Sequence, residues 1–118
     1  MTSSMQIKRG EIWLVNLDPT IGAEIRKTRP VIVINSDVIG VLPIKLVAPL
    51  TEWKEYLAQN IWHVKITPDS SNGLVKTSAV DTLQLRGVDT QRFVQRLGRV
   101  SPSAMRSIVE AIAAVIEY

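Results

Sequence analysis

Four consecutive β-branched residues, Val31, Ile32, Val33 and Ile34, follow directly on Pro30. A strand with one wet face alternates apolar and polar residues, whereas a run that is apolar on both faces belongs to a strand covered on both sides. The run therefore predicts a central strand, and the rest of the chain has to supply two layers of cover. More strands supply much of it. Glu11 to Leu17 (EIWLVNL) alternates and stops at Asp18, Pro19 and Gly22, a turn or loop. Lys45 to Thr51 (KLVAPLT) reads as a third strand, its end confined by Pro49 to an edge or bulge. Ile61 to Thr67 (IWHVKIT) sets Trp62, Val64 and Ile66 against His63 and Lys65, which predicts a half-buried strand with Trp62 in the core and His63 facing solvent. KTSAVDTLQLRGVD and FVQRLGRV, rich in Val, Thr and Gly, also read as strands.

Only the end of the chain differs. Ser101 and Pro102 form an N-cap and first-turn pair, and Met105, Ile108, Val109, Ile112, Val115 and Ile116 recur at helical spacing. With no crossover helices between the strands, the expected fold is mainly β, α+β by content: a small, strongly curved barrel closed by a C-terminal amphipathic helix. A chain of 118 residues, 46% hydrophobic, suits a single domain with a modest core. Residues 1–7 read as a frayed polar leader and residues 8–118 as the domain.

Several chemistries drop out on composition. The chain has no cysteine, so disulfides, thiolate nucleophiles and thiolate metal sites are excluded, and the cytoplasm is the natural compartment. His63 is the one histidine, which leaves no two-histidine acid–base pair and no histidine-rich zinc site; neither a metal nor a cofactor is expected. There is no signal-peptide-like segment and no apolar run of membrane-spanning length, so no membrane partner is expected. There is no phosphate-binding P-loop or GxGxxG, and Gly73 and Gly87 read as turn and bulge glycines. A net charge of +3 permits a polyanionic partner, and five arginines against one acid between Arg86 and Arg106 concentrate that charge.

The densest cation cluster lies elsewhere. Arg26, Lys27 and Arg29 fall within four positions, just before the β-branched run. Pro30 biases Arg29 toward extended backbone, so its guanidinium, a planar fork suited to phosphate oxygens, is carried on a stiff strand mouth. Arg26 and Lys27 sit farther back on a loop with Gly22 as a pivot, and Arg86 adds to the same charge. Trp53, Tyr56 and Trp62 fall within ten residues, and Trp53 and Tyr56 form the exposed pair on which bases of single-stranded RNA could stack. Each residue also has a plainer reading: loop cations that blunt a sheet edge, Thr51 as a turn or helix N-cap residue, Gln84 as an outward strand position. Composition alone favours these plainer readings.

The order of the motifs carries more than any one of them. GEIWLVNLDPTIGAEIRKTRPVIVINSD, followed by APLT, DTLQLRGVDTQR and a terminal helix, resembles the MazF/PemK family of toxin endoribonucleases over about residues 8–118. The resemblance implies an SH3-like barrel (PemK/CcdB-like) assembled as a two-fold homodimer. It implies a sequence-selective enzyme that cuts single-stranded RNA, mRNA above all, without a metal. Such an enzyme is the toxin of a type II toxin–antitoxin pair, restrained by a cognate antitoxin with an acidic disordered tail. By position it implies catalytic roles for Arg29 and Thr51, with Glu24 as a candidate base, and an RNA contact from Gln84. Arg26, Lys27, Arg86, Trp53 and Tyr56 complete the expected RNA-binding set. No acid role at Asp81 carries over, because family members vary there. Two other readings stay open: a gyrase-poisoning toxin similar to CcdB, in which the Arg29 and Thr51 pairing would be idle, and a non-catalytic RNA-binding barrel.

Overall fold

The β-branched run enters an interior strand. The computed structural model describes residues 6–118. In it, β1 (Glu11–Asn16), β2 (Thr28–Val33) and β3 (Ile44–Glu52) are neighbours in a seven-stranded sheet with β2 in the middle of the three. β4 (His63–Ile66), β5 (Ser78–Asp81), β6 (Arg86–Asp89) and β7 (Phe93–Arg99) complete it. The spatial order is β4-β5-β3-β2-β1-β7, with β6 against the first half of β3, and every pairing is antiparallel. One helix, α1 (Pro102–Ile116), follows.

Two apolar layers explain why the run had to be unbroken. Val31 and Val33 join Trp13, Val15, Leu17, Val47, Val88 and Phe93 inside the curved sheet. Ile32 and Ile34 point the other way, to a second layer with Ile12, Ala48, Leu50, Val80 and, from α1, Ile108. Each fully buried side chain of this size contributes about 1.5–3 kcal/mol relative to exposure. The helix starts as its sequence indicates: Ser101 Oγ accepts the Ala104 N–H at 3.1 Å and Pro102 occupies the first turn.

β3 is where the sheet curves. It pairs with β6 from Ile44 to Val47, with β2 from Val47 to Pro49, and with β5 from Leu50 to Glu52. Pro49 therefore stands in an interior strand, not at the edge or bulge expected of it. The Ile34 N–H donates to Leu46 O, so even positions here bond toward β2 and Pro49 faces the other side. On that side β6 has ended and β5 has not begun, and a missing N–H leaves no partner unbonded.

Four residue-level expectations, on DTLQLRGVD, Gly87, His63 and Trp62, are not met. DTLQLRGVD is not one strand: Asp81 Oδ1 accepts the Leu83 N–H at 3.1 Å and caps a 3₁₀ turn at Thr82–Gln84 that separates β5 from β6. Gly87 sits in an unbroken register opposite Leu46 rather than in a bulge. His63 does not face solvent. Its side chain is only 9% exposed because Asp81 lies directly across from it on β5, and Trp62, expected in the core, is half-buried ahead of β4. Of the expected leader, residues 1–5 lie outside the described residues, while Ile7 is buried in the barrel layer.

Candidate nucleic-acid interface

The loop from Leu17 to Lys27 folds back over one end of the barrel and is fastened along its length. At its roots the Leu17 N–H donates to Lys27 O at 2.9 Å. Arg86 Nη1 donates to Leu17 O at 3.2 Å, and Arg92 Nη1 donates to the carbonyls of Asn16 and Asp18. In its middle, Gln84 Oε1 accepts the Ile25 N–H at 2.6 Å, and the Ile25 side chain packs on the barrel layer. Gly22 turns the chain with φ near 58°, and Lys27 adopts φ near 70°, a left-handed conformation that costs a non-glycine residue about 1–2 kcal/mol.

This strap sets the surroundings of the expected catalytic residues. In the β2–β3 register Val31 stands opposite Pro49. Arg29 and Thr51 each lie two residues past that pair, toward the same end. Both share the side-chain parity of Val31 and Val47, so they rise from the barrel face at its open rim. Arg29 is exposed, and its Nε donates to Arg26 O at 3.2 Å. That bond fixes the base of the guanidinium; among the described residues neither Nη has a protein partner. Thr51 is half-buried within β3, and Lys54 rather than Thr51 precedes the 3₁₀ turn at Glu55–Gln59, so the N-cap reading of Thr51 does not apply.

The remaining expected residues divide. Gln84 and Arg86 face the site but spend polar atoms on the loop. Gln84, expected on a strand, is in the 3₁₀ turn. Arg26 and Lys27 are exposed. The Glu24 carboxylate accepts the Ile21 N–H at 2.8 Å, so it points into its own loop. Trp53 and Tyr56 lie past the end of β3. Tyr56 is 70% exposed, whereas Trp53 is half-buried, bonded through Nε1 to Glu55, with Lys65 Nζ 5.3 Å from its ring centre. A base could stack on Tyr56 freely but would compete with a cation for Trp53.

Sequence reasoning gave no role to His63, Asp81 or Arg92: Arg92 bonds the root of the strap directly, and Asp81, with His63 across from it, reaches the strap through Gln84. Their part depends on contacts far apart in the chain, and only Asp81, ending a strand two residues before the amide it caps, carried a local signal.

A cavity of about 890 Å³ opens elsewhere, beside α1, and is lined by Arg9, Arg99, Val100, Met105 and Arg106 among others. None of the expected site residues lines it. A polymeric anion is held along an open charged face rather than swallowed, so the rim at Arg29 is the better candidate. Among the described residues no group of three or more His, Cys, Asp or Glu side chains is placed to hold a metal.

A small, curved antiparallel sheet followed by one C-terminal helix is a fold this chain shares with solved MazF toxins. Residues 8–116 match the family described as PemK-like, MazF-like toxin of type II toxin-antitoxin system, and the chain belongs to that family. It is similar to the endoribonuclease PemK of Escherichia coli, 30% identical over 112 residues that span 93% of this chain and 82% of the relative. Its fold is similar to that of MazF from Deinococcus radiodurans, with a TM-score of 0.78 at 18% identity over 94% of this chain and 96% of the other. It is also similar to a mycobacterial endoribonuclease in complex with its cognate antitoxin, with a TM-score of 0.74 at 18% identity over 93% and 94%.

Proposed function

We infer that this protein is an endoribonuclease, the toxin of a type II toxin–antitoxin pair, and that it cuts single-stranded RNA at the Arg29 end of its barrel. The observation that carries this reading is Arg29: bonded through Nε on a proline-stiffened strand mouth, it presents the rest of its fork to solvent at the end of the barrel toward which Thr51 also lies. Relatives named as endoribonucleases favour cleavage over gyrase poisoning and over RNA binding alone. In the reaction, the 2′-oxygen attacks the adjacent phosphorus, the bond to the 5′-oxygen breaks, and a cyclic phosphate and a 5′-hydroxyl result. Arg29 stabilises the charge that builds at phosphorus, and Thr51 Oγ1 orients a phosphate oxygen. Glu24 takes the 2′-proton once its carboxylate releases the Ile21 N–H. The 5′-oxygen takes a proton from the Arg29 fork, which solvent replaces. Each step is thus assigned to a side chain of the protein or to solvent.

RNA is held by Arg26, Lys27 and Arg86 along its backbone, by Gln84, and by stacking on Tyr56 and Trp53, with mRNA as the substrate and loop side chains setting the preferred sequence. An antitoxin tail rich in carboxylates fits the same cations, which makes inhibition and RNA binding competitive. A homodimer is supported by Val38, Val41, Leu42, Ile44 and Leu46, apolar side chains exposed along β3 and the loop before it. Sedimentation at micromolar concentration should give a dimer, and an active 13.1 kDa monomer would contradict that assembly. No helix of the described residues is long and apolar enough to cross a membrane. A cytoplasmic site of action is the reading that an RNA substrate and a chain without cysteine support. The test of the reading as a whole is to incubate the purified protein with a long RNA in EDTA and map the new ends. Recurrent ends at one short sequence are expected, and intact RNA would overturn the reading.

A further inference from the structure

Asp81 and His63 take no part in the scheme above, yet both side chains are nearly buried and Asp81 contacts Gln84, which holds the strap. One carboxylate oxygen of Asp81, Oδ1, caps the 3₁₀ turn through the Leu83 N–H. The other, Oδ2, accepts from Gln84 Nε2 at 3.3 Å and lies 3.6 Å from His63 Nε2. On the far side of the ring, His63 Nδ1 is 3.1 Å from Asn60 Nδ2. An amide nitrogen only donates, so Nδ1 accepts, and the neutral ring then carries its hydrogen on Nε2, facing the carboxylate.

The consequence falls on Gln84. A glutamine amide can turn over, exchanging its oxygen and its NH₂, and only its neighbours decide which way it sits. A carboxylate accepts and does not donate, so Asp81 holds the NH₂ of Gln84 on its own side and leaves Oε1 for the Ile25 N–H. Nε2 also reaches Ala23 O at 3.4 Å. Gln84 thus grips the chain on both sides of Glu24.

We propose that Asp81, backed by His63, is a positioning residue: by fixing the orientation of the Gln84 amide it holds the Ala23–Ile25 backbone, and with it Glu24 and Arg26, in place for RNA cleavage. The functional half of this proposal rests on the nuclease reading, and its structural half does not. Displacing a reacting group by about 1 Å can cost on the order of a hundredfold in rate, so a loosened strap should show in turnover.

Asp81→Asn separates positioning from mere support. The introduced side chain keeps the size and one oxygen, so the cap on the Leu83 N–H survives and the melting temperature should stay near wild type. Its NH₂ replaces Oδ2, however, and meets the NH₂ of Gln84. Gln84 must turn over or let go, and the Ile25 N–H loses its acceptor. In the double variant Asp81→Asn with Gln84→Glu, donor and acceptor are exchanged: the introduced amide donates to the introduced carboxylate, which accepts the Ile25 N–H again, while the contact with Ala23 O is not restored.

The experiment measures amide hydrogen exchange at Ile25 by NMR, with Val31 and Val33 as internal references, and single-turnover RNA cleavage for all three proteins. In Asp81→Asn the Ile25 amide should exchange about tenfold faster or more, with cleavage about tenfold slower, and the double variant should recover most of the Ile25 protection. Wild-type exchange at Ile25 in Asp81→Asn would overturn the proposal. So would a double variant in which Ile25 stays unprotected, since the effect would then not run through donor order. If Ile25 responds as expected while even the wild-type protein cuts no RNA, the positioning geometry stands and the nuclease reading falls.

Discussion

Replacing Glu11 by alanine should cost about 3 kcal/mol of stability and leave the chemistry of the folded protein unchanged. Glu11 is a carboxylate almost wholly buried at the start of β1. Its Oε1 accepts from Trp13 Nε1 at 3.0 Å and from the Lys8 N–H at 2.9 Å, and its Oε2 accepts from Arg96 Nε at 2.8 Å on β7. Trp13 is itself buried, so truncation strands its indole N–H without a partner, a loss of about 1–3 kcal/mol. Arg96 is nearly half exposed and can turn to water, so its ion pair adds no more than about 1 kcal/mol. In urea, with a slope of roughly 2 kcal/mol per molar, the midpoint should fall by roughly 1.5 M at fixed protein concentration. Glu11→Gln keeps an acceptor for Trp13 and should lose only about 1 kcal/mol. Glu11 pairs with Arg99, at the far end of β1 from the Val15–Arg29 pair, so cleavage below the transition should match wild type. A midpoint shift worth under about 1 kcal/mol for alanine would refute the view that this carboxylate satisfies a buried donor.

Three further outcomes follow from the same geometry. Thr51→Val keeps the shape of the side chain and removes its hydroxyl; single-turnover cleavage should fall about tenfold or more while RNA affinity, read by anisotropy, stays close to wild type. Arg26→Ala combined with Lys27→Ala should weaken binding to all RNA sequences alike, and the slope of log affinity against log salt should drop by about 0.7 for each phosphate no longer neutralised. In Gly98→Ala the new methyl carbon would sit 2.2 Å from Ser71 O, a backbone atom that cannot swing aside, and thermal melting should report a loss of about 1–3 kcal/mol.

The strands and the terminal helix were legible because each rests on local pattern: the unbroken run in β2, the alternation in β1, and Ser101 with Pro102 at the helix start. What escaped depends on partners remote in the chain. Pro49 looked like an edge residue, and only the exchange of β6 for β5 along one side of β3 makes its place an interior one. His63 looked outward by alternation, but the face it points to is occupied by Asp81. Gln84 read as a strand residue in a strand-like composition, and its bond to Ile25 spans 59 positions. For the site, the cation cluster and the stiffened Arg29 could be read directly, and the order of motifs singled out Thr51 and Gln84. The fastening of the loop by Arg86, Arg92 and Gln84 could not, since nothing local marks a side chain that bonds a distant carbonyl.

The account rests most heavily on Arg29, and the direct measurement is single-turnover cleavage of a labelled RNA in EDTA by wild type and by Arg29→Ala, with binding of a non-cleavable RNA measured alongside. Losing one preorganised donor to a developing charge lowers the rate by about a hundredfold or more, while the ground state is held by other cations. The expected result is therefore full wild-type cleavage in EDTA, a loss of about a hundredfold in Arg29→Ala, and affinities within a few fold of each other. Cleavage by Arg29→Ala at the wild-type rate, or loss of wild-type cleavage when EDTA is added, would contradict it.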